Sequence, residues 1–253
     1  MDQINCIIFS KNRACQLDML LRSINEMWIN RPEIFIIYKA EGGYNSGYDI
    51  CKREHNNFMF VEEGNFKNDL LRYIEIKKEY IMFLMDDNVF KEKFEFKGIT
   101  FFSDLLCLSL RLHPKLNYCY PKMKKMKPIL KTFWNWKTEG EMDFAYPMSL
   151  DGHIFRTEDI FSLLRNLNYN NPNSLESELA RNVINKPMMA SFSKSPIMNI
   201  PWNRVQKVFN NQCGNVTADY LHTEYMKGKR LSLEGIRGFE NISAHQEMPV
   251  KWE

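Results

Sequence analysis

Short apolar runs alternate with segments of helical spacing along the first third of the chain. Residues 4–10 (INCIIFS), 33–39 (EIFIIYK), 58–61 and 80–85 (YIMFLM) are too short and too uniformly apolar for amphipathic helices. Their Ile, Phe and Tyr content suits strands covered on both faces. After the first run, Leu17, Leu20, Leu21, Ile24 and Met27 fall three, one, three and three residues apart, which makes one apolar stripe on a helix ending near Trp28. A short helix over 46–54 and a longer one over 66–77, with Phe66, Leu70, Tyr73 and Ile74 on one face, complete the alternation. Residues 1–90 therefore read as βαβαβαβ, the pattern of an α/β protein with a mostly parallel sheet flanked by helices.

Beyond residue 90 the pattern is less regular. Residues 90–96 alternate apolar and charged, as an exposed or edge strand does. Residues 101–112 read as an apolar helix and 117–120 as a strand. Residues 144–155 read as two short strands meeting at Asp151-Gly152-His153, and 156–167 as a helix with Ile160, Leu163 and Leu164 inward. The Asn170-Asn171-Pro172-Asn173 turn precedes a helix holding Leu175 to Leu179, with Ser174 as its cap. A strand over 186–192 and helices over 201–211 and 218–226 follow. No repeat or low-complexity linker divides the 253 residues, so a single domain is expected.

Composition narrows the partners. A net charge of +3 gives no global basic field, so nucleic acid is not expected as a partner. Cys6, Cys15, Cys51, Cys107, Cys119 and Cys213 are scattered without metal-ligand spacing and read as reduced thiols of a cytoplasmic protein. No run approaches the roughly 20 apolar residues of a membrane span, and the opening apolar run is too short for a signal peptide. Residues 122–131 (KMKKMKPILK) carry five lysines, which form either a solvated loop or a contact for phosphates or a lipid surface. Trp134 and Trp136 alternate on an extended segment, so both rings share one face, for core packing or for stacking on a sugar.

The chemistry concentrates where the run over 80–85 meets Asp86-Asp87. Ligands of open α/β sheets bind beyond the carboxyl ends of the strands, and adjacent carboxylates repel unless a cation accompanies them. A hard divalent ion holding phosphate oxygens meets that need; an ordinary acidic turn is the alternative. The first strand ends at the same edge in Ser10-Lys11-Asn12-Arg13, with two cations and no glycine.

The polar loop after the first strand, the Gly64-Asn65-Phe66-Lys67-Asn68 segment, the acidic pair and Leu175-Glu176-Ser177-Glu178 together resemble a GT-A nucleotide-sugar glycosyltransferase, most similar to the family 2-like bacterial enzymes. The resemblance spans most of the chain. It implies a Rossmann-like GT-A sheet, a nucleotide-binding half over 1–90 and an acceptor-binding half over 91–253. It also implies Mn2+ or Mg2+ on the diphosphate of the donor, a UDP-linked or similar nucleotide sugar. The family's Asp-x-Asp stands here as Met85-Asp86-Asp87-Asn88, so the third position departs from the pattern. Asp87 is then expected on the metal with His245, and Asp86 nearer the ribose. Ser10, Lys11, Arg13, Glu41, Lys67 and Asn68 are expected around the donor, and Asp151, His153, Trp134 and Trp136 around the acceptor. Glu176, or else Glu178, is expected to be the general base of an inverting transfer to a glycan or lipid-linked saccharide, with the lysines of 122–131 allowing peripheral contact with a membrane. The glutamates also suit an ordinary first helical turn, His245 a surface or core position, and Asp151 to His153 a tight turn. Two further readings remain, a sugar-phosphate nucleotidyltransferase and an inactive carbohydrate-binding module, although the first normally has a Gly-rich phosphate loop that residues 10–14 lack.

Overall fold

The computed structural model describes residues 3–206 and 212–253. An eight-stranded sheet runs in the order Phe133–Asn135, Met188–Ser191, Leu105–Ser109, His153–Arg156, Tyr80–Met85, Ile4–Lys11, Ile34–Lys39, Met59–Glu62. The last four are the strands expected in the first 90 residues, and they are mutually parallel. The other half is mixed: Met188–Ser191 and Leu105–Ser109 are parallel, whereas His153–Arg156 runs antiparallel to both of its neighbours and Phe133–Asn135 antiparallel to Met188–Ser191.

Both faces are covered, which explains the uninterrupted apolar runs. Along the first strand Ile4, Cys6 and Ile8 enter one core and Ile7 and Phe9 the other. The helices are α1 (Ala14–Met27), α2 (Asn45–Glu54), α3 (Phe66–Arg72), α4 (Thr157–Asn166), α5 (Pro172–Arg181) and α6 (Ala218–Met226). Leu17, Leu20, Leu21 and Ile24 of α1, Tyr48 of α2 and Leu221 of α6 seal the first core. Leu70 of α3, Ile160 of α4 and Leu175 of α5 seal the second.

Several expectations are corrected. Residues 101–112 hold no helix; Leu105–Ser109 is a strand buried at every position, so it has no period by which to distinguish it from a buried helix. The segment before His153 is a 3-10 turn at Met142–Ala145 and coil rather than a first strand. In place of an exposed strand over 90–96, Asn88–Phe90 pairs with Ile197–Asn199 and Phe94–Glu95 with Trp28–Ile29. Helix α3 stops at Arg72, five residues early, and Asn5 Oδ1 accepts from the Glu75 amide where the helix would have continued. Asn171, not Ser174, is the cap of α5; Ser174 is the reciprocal partner in its capping box. Of the expected helix over 201–211, residues 201–206 are not helical and 207–211 lie outside the described residues. Among the described residues, no helix is long and apolar enough to cross a membrane, and no disulfide joins any of the six cysteines.

Candidate functional site

Strand polarity collects the polar ends. Ile4–Lys11, Tyr80–Met85 and Leu105–Ser109 point the same way, so Ser10, Asp86 and Arg111 leave the sheet at one edge. His153–Arg156 runs the opposite way, which brings its start, and Asp151 before it, to that edge. Gly152 fixes this approach: its amide donates to Phe83 O at 2.9 Å and its carbonyl accepts from Leu110 N at 2.8 Å. At φ +73° a Cβ there would lie 2.2 Å from Ile197 Cδ1, so only glycine fits.

Arg13, at the start of α1, is the centre of the site. Its Nη1 donates to Asp86 Oδ1 at 3.0 Å and Asp87 Oδ2 at 2.9 Å, and its Nε donates to Asn203 Oδ1 at 2.8 Å. Asp86 Oδ2 accepts from Ser10 Oγ at 2.9 Å and from the Lys11 amide at 3.1 Å. Asp87 Oδ1 accepts from Asn199 Nδ2 at 2.6 Å. Asn88, at the third position of the expected Asp-x-Asp motif, donates to Asp151 Oδ1 and accepts from the Met85 amide. Asp151 Oδ2 faces Arg111 Nη1 at 3.3 Å and His245 Nε2 at 3.4 Å. Glu176 joins through Leu150, whose amide donates to its Oε2 at 3.3 Å.

Burial sets the electrostatics. It pushes the Asp87 carboxyl up to about 7: Arg13 opposes the shift, while Asp86 and Asp151 reinforce it. Asp86 is also raised, by burial, against Arg13, Ser10 and the Lys11 amide. Burial raises Glu176, with Arg111 opposing. Asp151 is buried too, but Arg111 and His245 outweigh the burial and hold it below the usual range. Burial and then Arg111 depress His245, whose Nδ1 accepts from Arg111 at 3.4 Å.

The network thus joins Ser10, Arg13, Asp86, Asp87, Asp151, Glu176 and His245. Asp86 is 3% exposed at its side chain and Asp87 14%, so Asp87 is the more open of the pair. Lys11 and Glu41 form an exposed ion pair of 2.9 Å at the rim. The remaining expected residues are placed elsewhere. Lys67 donates to Leu167 O at 2.7 Å beneath the Tyr169 ring, and the neighbouring Asn68 is an exposed first-turn residue of α3. Glu178 pairs with Arg181 on the outer side of α5. His153 is fully buried in its strand, with Nδ1 donating to Pro147 O and its pKa depressed to about 3 by burial and Arg111. Trp134 is fully buried, with its indole N–H on Phe144 O, and Trp136 packs on the same core. The two rings do share a face, but it is the core face, which removes Trp134 as a stacking platform.

Arg111, Asn199 and Asn203 were not singled out in the sequence. Arg111 had a signal, a lone cation inside the apolar run LSLRLH, which calls for a buried counter-ion. The two asparagines had none.

A divalent ion can be weighed against these donors. Asn199 Oδ1, beside Asp87, is buried without a partner, as are Arg111 Nε, Asp143 Oδ2 and Asn203 Nδ2 around it. No three His, Cys, Asp or Glu side chains among the described residues form a metal-binding group by themselves. The Asp87 carboxylate and the Asn199 amide oxygen suit a hard ion that takes its other ligands from phosphate and water, whereas His245 has Nδ1 on Arg111 and Nε2 on Asp151 and would join them only by giving up one of those contacts. The donor set fits Mn2+ or Mg2+ on that basis.

A sheet with a carboxylate-rich polar cluster beyond its carboxyl ends defines a ligand-binding α/β protein. No family model matches the chain. In sequence it is related to the bifunctional glycosyltransferase pgtA of Dictyostelium discoideum, 27% identical over an alignment of 254 residues, gaps included, that covers 82% of this chain and 33% of that protein. The chain therefore spans about a third of its relative's length. Solved structures with some likeness include the mannosyltransferase PcManGT from Pyrobaculum calidifontis in complex with GDP-Man and Mn2+ (12% identity, 75% of this chain, 54% of that chain, TM-score 0.42). Another is S. aureus TarS 1-349 in complex with UDP-GlcNAc (11% identity, 76% and 56%, TM-score 0.44).

Proposed function

We propose that the chain is a glycosyltransferase that moves a sugar from a nucleotide-sugar donor, UDP-linked in our reading, to a glycan or lipid-linked saccharide, with inversion. The observation that carries the proposal is the single buried network joining Asp86 and Asp87 to Asp151, His245 and Glu176 at the ligand-binding edge of the sheet. The relationship to pgtA agrees with it.

In this reading Asp86 anchors Arg13 and the first loop, and Lys11 and Glu41 border the nucleotide. Asp87 and the free Oδ1 of Asn199 would hold Mn2+ or Mg2+, with His245 as a further ligand on leaving Arg111. When bound, the ion supplies positive charge for the leaving diphosphate. Glu176 takes the proton of the acceptor hydroxyl as it attacks the anomeric carbon and the bond to the diphosphate oxygen breaks. Burial raises the Glu176 carboxyl above the ordinary range against the pull of Arg111, which makes it a stronger base than a solvated glutamate. Asp151 orients His245 and lies on the acceptor side.

The nucleotidyltransferase reading is disfavoured by the first loop. The amides of Lys11, Asn12 and Arg13 go to Asp86 Oδ2, Lys39 O and the Tyr48 hydroxyl, so they offer no cradle for phosphates. Calorimetry of UDP and Mn2+ tests the proposal. Binding of each should require the other and collapse in EDTA and in Asp87→Ala. UDP binding unchanged by both would remove the metal, and a panel of nucleotide sugars with neither binding nor hydrolysis would remove the glycosyltransferase.

A further inference from the structure

We infer that the face built around the Tyr118–Cys119 and Lys124–Lys125 ribbon docks on an anionic lipid bilayer. The two strands pair antiparallel, Tyr118 with Lys125 and Cys119 with Lys124, and Met126 anchors the ribbon in the core. Lys122, Lys124, Lys125 and Lys127 are exposed, and among the described residues none pairs with a carboxylate. The nearby acids are committed elsewhere: Glu139 to Lys131, Glu141 to the Lys127 amide, Glu247 to the Tyr120 hydroxyl.

Large apolar side chains stand among these cations. Met123 is 55% exposed, Leu130 77% and Ile242 53%. All three belong to residues bonded to one short stretch: Leu130 N donates to Pro114 O, Ile242 O accepts from Asn117 N and Tyr118 N, and the Tyr118 hydroxyl donates to Met123 Sδ. Met123 and Leu130 hold left-handed backbone, at φ +52° and +59°, a conformation uncommon for such residues. A soluble polyanion would use the lysines but offers nothing to Leu130 and Met123. The interface of an anionic bilayer receives both.

The ribbon also borders the site. Tyr120 N donates to Ser243 Oγ, and residues 242–243 lead directly to His245. Docking would therefore place the His245 side of the site toward the bilayer, where a lipid-linked saccharide is presented. That last step rests on the glycosyltransferase reading, whereas docking itself does not.

Co-sedimentation of the whole chain with vesicles tests the docking, with neither donor nor acceptor present. Vesicles of phosphatidylcholine with phosphatidylglycerol should retain the protein at low salt, and phosphatidylcholine alone should not. Each lysine near an anionic surface is worth about fivefold in affinity, so Lys124→Ala, Lys125→Ala and Lys127→Ala together should weaken retention roughly 100-fold. Met123→Ser with Leu130→Ser should abolish the residual binding that survives 0.5 M salt. These are surface positions, so thermal melts of both variants should match the wild type. Wild-type retention by the triple variant, equal retention on neutral vesicles, or tighter binding to soluble polyphosphate than to the vesicles would overturn the inference. None of those outcomes touches the calorimetry on UDP and Mn2+, so the two proposals fail separately.

Discussion

Arg13→Gln removes the cation that holds Asp86 and Asp87 together, and the consequence can be worked out in advance. Arg13 is 8% exposed at its side chain and Asp86 3%, so solvent screens the pair little. Breaking a buried pair by deleting one partner costs about 3–5 kcal/mol. For a chain of this size that corresponds to a fall in Tm of roughly 6–20 °C. The carboxylates can reduce the loss by taking up protons. Holding one carboxyl neutral costs about 1.4 kcal/mol per pH unit above its unfolded pKa near 3.9, which is about 1.5 kcal/mol at pH 5 and about 5.5 at pH 8. Asp87, already raised to about 7, is largely neutral at pH 5 in the wild type, so Asp86 carries most of the difference. Urea unfolding should accordingly give a loss of about 1–2 kcal/mol at pH 5, rising to about 3–5 kcal/mol at pH 8. Arg13→Lys, which keeps the charge but not the fork, should fall between the two. A loss under about 1 kcal/mol at both pH values, or one that shrinks as pH rises, would refute the assignment of Arg13 as the counter-ion.

Asp87→Asn should be more stable than the wild type at pH 8 while losing turnover. The folded pKa of Asp87 lies above its unfolded value of about 3.9, so keeping its carboxyl neutral in the fold opposes folding increasingly from about pH 4 to about 7; the gain should shrink to about 1.5 kcal/mol in melts at pH 5 and vanish only below about pH 4. Glu176→Gln should keep donor affinity and lose turnover by roughly 10²–10⁴-fold, with Glu178→Gln close to wild type; the reverse pattern would move the base to Glu178. Trp134→Ala should cost about 3–5 kcal/mol by chemical denaturation, because the ring is fully buried, and Trp136→Ala less. A Trp134→Ala variant of wild-type stability with impaired use of a soluble acceptor would return that ring to the substrate.

The first 90 residues were legible because each signal was local. Buried parallel strands are short, continuous apolar runs, and α1 carries its stripe at helical spacing, so period and length sufficed. The errors occurred where tertiary pairing decides. Leu105–Ser109 lies between two strands from later in the chain, 153–156 and 188–191, and nothing within the segment distinguishes it from a buried helix. Residues 90–96 looked exposed because Lys91 interrupts the apolar pattern, yet Lys91 is buried and the short strands on either side find partners at 197–199 and 28–29.

The site divides along the same line. Asp86, Asp87 and the cations of the first loop could be placed at one sheet edge from strand order alone, since each directly follows a strand. The sequence could not say that Arg13 would occupy the carboxylates, because that depends on how α1 leaves the first strand: the Arg13 amide meets the Tyr48 hydroxyl and the side chain turns back over Asp86. Asn88 illustrates the difference further. As a letter in a motif it is a missing metal ligand; in the fold its amide group bridges the Met85 backbone to Asp151 and so couples the acidic turn to the strand start that leads toward Glu176. An aspartate at that position would keep the first bond as an acceptor. It would lose the second, because a carboxylate cannot donate to Asp151, and a further negative charge would press on a cluster where Asp87 is already held near pH 7. The departure from Asp-x-Asp is therefore consistent with the rest of the network, in which Arg13 supplies charge that neighbouring carboxylates already exceed.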